Sequence, residues 1–317
     1  SLLSIWLSNR FIKKKSARFE TISGKGFRSR DIDLGSWRWF VFGVVSLFGF
    51  IVGILPLILL GIQSVMLIDG FYGFENLTSH FWIGKSNLDI AGGEPGVIHN
   101  KIILGATWNT LKLAFLSAVI AAIIGIVIAY IAVRRSNNPL AILLDQIAFV
   151  PFLFPTIAFG AMYLTLFAVP VGPIPALYGT FTLLVLISVV SRLPYSVKTG
   201  ITAVTQIGQE LEEAAEVAGA SWWHRFRRII MPLASSGIMS GMMVSFVGVM
   251  RELSLIILLI TPSTRVLMTA GFGYAEEGFT QLTNALVLIV ALLTISGELI
   301  LWKIGKGRIA RLREKQS

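Results

Sequence analysis

Residues 105–133 read GATWNTLKLAFLSAVIAAIIGIVIAYIAV, with one charge, Lys112, close to the start. As a helix this stretch is about 43 Å long, enough to cross the ~30 Å hydrocarbon core of a bilayer. The long stem of Lys112 lets its ammonium reach the interface. The rest of the chain has the same character: 317 residues, 55% hydrophobic and 14% charged, with a mean hydropathy of +0.77. Soluble domains carry charge on roughly a quarter of their residues, so an ordinary soluble protein is excluded and one polytopic membrane bundle is expected. The net charge of +10 would suggest nucleic acid for a soluble protein, but in a membrane protein the placement of charge matters more than its sum. No nucleic-acid partner is therefore expected. Cysteine is absent and His80, His99 and His224 lie far apart, so neither thiolate nor histidine ligand spacing points to a metal or cofactor.

Outward from this stretch, the uncharged runs predict six spans. The first covers residues 40–66 and the second 105–133. Residues 146–191 hold no charge and are too long for one helix; the stretch Pro170-Val-Gly-Pro-Ile-Pro175 divides them, because proline cannot continue the hydrogen-bond ladder. That gives a third span over 143–167 and a fourth over 177–193. The fifth covers 234–260 and contains Arg251 and Glu252, and the sixth covers 283–302 and contains Glu298. Gly49-x-x-x-Gly53 and Gly237-x-x-x-Gly241 permit close helix packing.

Orientation follows from lysine and arginine. Of 27 such residues, 22 fall in segment 9–38, the Arg134-Arg135 turn, the 192–232 connection and the tail from Lys303. The positive-inside rule makes that side, and both chain ends, cytoplasmic. The external loops are then 67–102, 168–176 and 261–282. The apolar start, Ser1-Leu-Leu-Ser-Ile-Trp-Leu-Ser8, is followed rather than preceded by basic residues, the reverse of a secretory signal. It reads as the end of an earlier transmembrane helix, which would make the chain the later part of a longer polypeptide; an interfacial anchor is the other reading.

The long cytoplasmic connection, residues 209–232, reads QELEEAAEVAGASWWHRFRRIIMP. Leu211, Ala214, Ala215 and Ala218 recur at helical spacing, with Glu212, Glu213 and Glu216 opposite. A short amphipathic helix outside the membrane is predicted, with small residues that let another backbone approach closely. Gly219 suits the left-handed conformation that ends a helix. After it, Trp222, Trp223, Arg225, Arg227 and Arg228 fit an interfacial foot on lipid headgroups.

Glu213-Ala214-Ala215, Gly219 four residues on, then Ile229, Met231 and Pro232 resemble the E-A-A…G…I-x-L-P loop of binding-protein-dependent ABC transporter permeases, with Met231 in place of the usual Leu. Asn109-Thr110-Leu111, the proline-rich third span, Leu193-Pro194-Tyr195 and Arg251-Glu252-Leu253 resemble the fused permeases associated with ferric iron uptake. Thr21-Ile-Ser-Gly-Lys-Gly-Phe27 with Asp33-Leu-Gly-Ser-Trp-Arg-Trp39 is similar to the linker joining the two halves of such permeases. The resemblance implies an all-α bundle of six transmembrane helices with a cytoplasmic coupling helix. Residues 1–36 would be a helix stub and basic linker, 37–304 the permease domain with its coupling loop over about 195–232, and 305–317 a basic tail.

The implied partners are a cytoplasmic ABC ATPase dimer, a second permease half, an extracytoplasmic solute-binding protein and the lipid bilayer of a bacterial inner membrane. Glu213 would give a polar contact to the ATPase, Ala214 and Ala215 close packing and Gly219 the turn, with Ile229 and Pro232 completing the motif. ATP chemistry is not expected here: Gly84-Lys85-Ser86 has Ser79 where a phosphate-binding loop needs its first glycine. Ferric iron is the leading substrate by resemblance, with phosphonate, thiamine or polyamine as alternatives.

Arg251 and Glu252 are costly inside a span, at about 2.5 to 3.5 kcal/mol each. Adjacent residues do not face each other on a helix, and Arg251 falls about 28 Å beyond Pro232, in the outer half. A vestibule or gate role and an ion pair to another helix are both open. The reading from a different class, an ion-coupled secondary transporter or channel, predicts cation-coordinating residues near mid-membrane and no loop helix.

Overall fold

The computed structural model describes residues 35–170, 172–173 and 175–314, with side chains through Lys303. The expected stub and linker lie largely outside the described residues, as does the end of the basic tail. The described chain is helical, without a strand. Four helices are long and apolar enough to cross a membrane, and six spans result when each of two bent pairs counts as one. The helices are α1 (Gly35–Gln63), α2 (Lys101–Arg134), α3 (Pro139–Phe149), α4 (Thr156–Phe167), α5 (Phe181–Thr205) and α6 (Glu210–Val217). They continue with α7 (Trp222–Leu233), α8 (Ser235–Met250), α9 (Leu267–Glu276) and α10 (Thr280–Glu314).

Three expected spans are corrected. The third is not one helix: α3 and α4 meet at 106°, because Pro151 lies within the turn Val150–Leu153 and Pro155 precedes α4, and neither offers an N–H to an α-helical ladder. The fourth does not stop near Leu193. α5 runs through buried Pro194 to Thr205, so Arg192 and Lys198 lie inside a helix rather than in the loop. The fifth ends early, since α8 stops at Met250 with Arg251 as its C-cap and turns follow to Thr264.

The chain divides into two compact units. One holds residues 35–112 and Ile260–Ile295. Its core joins Ile103 and Ala106 of α2 to Leu267, Ala270 and Tyr274 of α9 and to Leu282, Leu286 and Val290 of α10. Phe81 and Val97, from the connection between α1 and α2, close the cluster. The apolar window of α1 contains no buried residue, and the space beside Gly49 and Gly53 is open. Close packing at that pair of glycines is thus not seen among the described residues.

The other unit holds Leu113–Leu259 and the chain from Ser296. Here small residues set the helix spacing. Side chains added at Gly237 and Gly241 of α8 would strike Ala203 and Thr199 of α5, and one at Gly125 of α2 would lie 2.6 Å from the Ser196 Cβ. Such contact gains dispersion energy that bulkier residues would hold apart. Ser196 and Ser245 share a buried hydrogen bond of 3.2 Å across the same seam. Nearer the loop end, Ile126, Val204, Ile207, Phe226 and Ile230 form one apolar cluster.

Candidate coupling site

The loop helix α6 begins with Glu210, Glu212 and Glu213 in its first turn, where carboxylates complement the helix dipole. It ends in a complete Schellman turn. Gly219 has φ +83°, its N–H donates to the Glu216 carbonyl at 2.9 Å, and the Ala220 N–H donates to the Ala215 carbonyl at 2.9 Å. Glycine takes this left-handed conformation without the clash of a Cβ. The Ser221 hydroxyl then accepts from the His224 N–H and starts α7, which is bent 70° from α8.

The sequence reading separates an alanine face from a glutamate face on α6, and it is Glu212 of the latter that meets the bundle. Glu212, expected opposite the apolar face, is 7% exposed. Its Oε2 accepts from the Tyr130 hydroxyl at 2.7 Å and its Oε1 from Arg134 Nε at 2.5 Å. Arg134 also donates through Nη2 to the Ile207 carbonyl at 2.9 Å. Glu216 pairs with Arg225 of α7. The small and apolar positions face outward: Leu211, Ala214, Ala218 and Gly219 are exposed and Val217 is 91% exposed, with Ala215 half-buried at the edge, and Glu213 is exposed with them. Burying Glu212 is stable because two donors satisfy the carboxylate, whereas the alanines have nothing polar to offer Arg134. Ile229 and Pro232 are half-buried in α7 beside fully buried Ile230.

Arg251 and Glu252 part company. Glu252 pairs with Arg192 of α5 and accepts the Leu255 N–H at 3.2 Å. Arg192 also donates to the Gly248 carbonyl at 3.1 Å and lies 5.9 Å from the centroid of the Tyr195 ring. Arg251 is exposed. Of the two readings left open for this pair, interhelical pairing describes Glu252.

Tyr130, Arg134, Arg192 and Glu212 are the residues that sequence reasoning missed. A signal for Arg192 exists in the uncharged run that stops at it, but the expected span ends at 193, whereas α5 continues to Thr205. Among the described residues no group of three or more His, Asp or Glu side chains could hold a metal. Gly84-Lys85-Ser86 follows the one-turn helix His80–Ile83, a context without the strand and helix that a phosphate-binding loop joins.

Residues 121–304 match the family described as binding-protein-dependent transport system inner membrane component. The chain is 29% identical over 173 residues to the sulfate transport system permease protein CysT of Escherichia coli K12, covering 51% of this chain and 60% of that one. It is 29% identical over 268 residues to the putative ferric transport system permease protein FbpB 1 of Haemophilus influenzae, covering 83% and 38%. With the ferric transport system permease protein FbpB of Actinobacillus pleuropneumoniae it shares 26% over 324 residues, covering 99% and 42%. The chain thus spans less than two thirds of each of these relatives. Among solved structures, a bacterial ABC transporter importing the acidic polysaccharide alginate aligns with TM-score 0.64 at 15% identity, over 85% of this chain and 95% of that one. The MetNI methionine ABC transporter in inward-facing conformations aligns with TM-score 0.56 at 18% identity, over 65% and 96%. At these identities the likeness shows the fold.

Proposed function

The chain belongs to the family of binding-protein-dependent transport system inner membrane components, and from that premise we propose that it is the membrane pathway of an ATP-driven importer. The protein it serves takes a small solute from an extracytoplasmic binding protein and moves it inward by alternating access. A cytoplasmic ATPase supplies the free energy, and a second helical bundle completes the pathway. The observation that carries this reading is α6: a two-turn helix that turns Leu211, Glu213, Ala214 and Gly219 outward while Glu212 and Glu216 hold it to its own bundle. A knob of small residues suits insertion into a groove on a partner, because backbones approach closely where side chains are short. An ion-coupled carrier has no use for such a knob.

In this reading Glu213 makes a polar contact to the ATPase, Ala214 and Ala215 pack against it and Gly219 sets the turn, with Ile229 and Pro232 anchoring the return to α8. Arg251, exposed where α8 ends, is assigned to the external vestibule. Ferric iron stands first as cargo. The two relatives matched over 83% and 99% of this chain are named for ferric transport, whereas the sulfate relative of Escherichia coli and a 2-aminoethylphosphonate relative of Salmonella typhimurium cover 51% and 64%. The test is Glu213→Lys in the assembled complex. Loss of ATPase co-purification together with loss of uptake supports docking through α6, and full uptake of radiolabelled ferric ion by the variant overturns it. Uptake of sulfate or 2-aminoethylphosphonate but not of iron by the unaltered complex overturns the cargo alone.

A further inference from the structure

We propose that Glu212, Arg134 and Tyr130 form the strap that turns movement of the loop helix into movement of the bundle; this rests on the docking role of α6 proposed above. The need for a strap follows from the backbone. α6 has eight residues, too few to be stable alone, and it is flanked by Gly208 and Gly219, the residues with the widest backbone freedom. A partner pushing on a helix held only by such joints would swivel it. The bundle would not follow.

The side chains remove that freedom. Glu212 is the buried carboxylate of the loop, and it takes both of its donors from the last turn and a half of α2: Tyr130 at 2.7 Å and Arg134 at 2.5 Å. Arg134 reaches on to the Ile207 carbonyl at 2.9 Å, so the guanidinium ties α2 to the chain on the near side of the Gly208 joint as well. These bonds are charge-assisted and directional, and losing one partner would leave the other buried without compensation. On the far side, Glu216 and Arg225 fix α6 to α7.

From α2 a displacement has atoms in contact to act on. Gly125 of α2 lies against Ser196 of α5, and a Cβ on Gly200 of α5 would sit 2.8 Å from the Ala129 Cβ. α5 in turn meets α8 at Gly237 and Gly241. Close-packed seams of this kind do not deform continuously; they shift as bodies. Glu212 is therefore a positioning residue. It does not touch the ATPase but sets the orientation of the face that does, and passes the load inward.

The test uses the complete complex with its ATPase, in proteoliposomes, with spin labels at Glu210→Cys on α6 and Ile123→Cys on α2, both exposed positions. With the strap intact, the distance between labels stays within about 2 Å when nucleotide is trapped with vanadate, the scale of helix shifts at moving interfaces. In Glu212→Gln and in Arg134→Gln the distance changes on trapping, and solute moved per ATP falls by about tenfold, the size of coupling changes seen along such networks. ATPase co-purification stays within about twofold. Tyr130→Phe gives a smaller loss, and the reversal Glu212→Arg with Arg134→Glu recovers part of the coupling, which separates a strap from a folding defect.

A distance in the intact complex that changes as much as in Glu212→Gln overturns the strap, as does unchanged transport per ATP in that variant. Loss of ATPase binding in Glu212→Gln but not in Arg134→Gln makes Glu212 a docking contact and overturns it too. Failure of the unaltered chain to hold any ATPase overturns the docking reading itself and this inference with it.

Discussion

Glu252 and Arg192 are each about one-seventh exposed and lie on neighbouring elements of one unit, so their pairing decides whether either charge is tolerated there. Removing one partner strands the other, a loss of about 3 kcal/mol for a buried pair. Glu252→Ala is therefore expected to lower the stability of the purified protein in mild detergent by that order, and Glu252→Leu with Arg192→Met to regain most of it. Arg251→Ala is expected to shift stability by no more than about 0.5 kcal/mol, and to lower uptake if the vestibule role holds; wild-type uptake in this variant removes that role. Tyr274 offers a pH test. Burial in its core cluster, followed by the nearby Glu94 carboxylate, pushes its phenol up from 10.0 to about 12, against the opposing hydrogen bond from Asn100. The folded protein thus holds this proton more tightly than the unfolded chain, so the associated stability is intact below about pH 10 and is lost as pH rises toward 12. Alkaline unfolding curves of Tyr274→Phe are expected to be flatter over that window, and identical curves would refute the assignment. Arg192 escaped the sequence reading because charge counts along a chain do not reveal which charges meet across it.

At the scale of elements, proline has no single effect on this chain. The segment with Pro170, Pro173 and Pro175 does separate α4 from α5, yet Pro194 lies inside α5 and the pair Pro151 and Pro155 breaks what looked like one span. A missing N–H is the same local defect each time. Whether the chain kinks, stops or runs on depends on what packs nearby, and Pro194 is buried among helix neighbours that can steady an interrupted ladder. The loop helix was legible in place and length because its turn signal is local, and Gly219 adopts the φ its position required. Its orientation was not legible: three glutamates shared one side of the helical wheel, and nothing in their spacing marks Glu212 as the one facing Tyr130 and Arg134. The element-level prediction concerns the turn. No heavy atom lies within 4 Å of a Cβ built on Gly219, so Gly219→Val acts through backbone strain alone, about 1 to 2 kcal/mol. The chain is expected to insert normally while the Schellman turn unwinds and α6 fails to seat. Uptake in membranes then drops with unchanged protein level, and wild-type uptake in Gly219→Val would argue against any docking role for this turn.

For the whole molecule, hydropathy found the helices because a bilayer leaves the backbone few other ways to satisfy its N–H and C=O groups. α1, α2 and α10 lie within a few residues of where apolar runs placed them, α10 being extended at its end. Apolar runs carry no information on bends, which is why the 106° and 70° breaks had to come from the structure. The same limit applies to sidedness, since length and composition place helices across a membrane without saying which end faces the cytoplasm. Only the basic residues speak to that, and two of those counted for the cytoplasmic loop, Arg192 and Lys198, lie inside α5. Lys198 stays near the loop end, its ammonium 4.3 Å from the Phe149 ring centroid. Arg192 lies about 16 Å from the start of α5, well within the span, and neutralises Glu252 instead of marking a surface. The orientation therefore rests on the Arg134-Arg135 turn, on Arg225, Arg227 and Arg228, and on the two chain ends. Single cysteines test it directly, because the chain has none of its own. Asn87, between α1 and α2, and Gln281, in the first turn of α10, are expected on this orientation to react as cysteines with an impermeant maleimide on intact cells. Asn137, beside the arginine turn, and Ser221, at the start of α7, are expected to react only after the membrane is opened. Labelling at Ser221 from outside would put α6 on the far side of the membrane from any ATPase, and the coupling proposal would fall with the orientation.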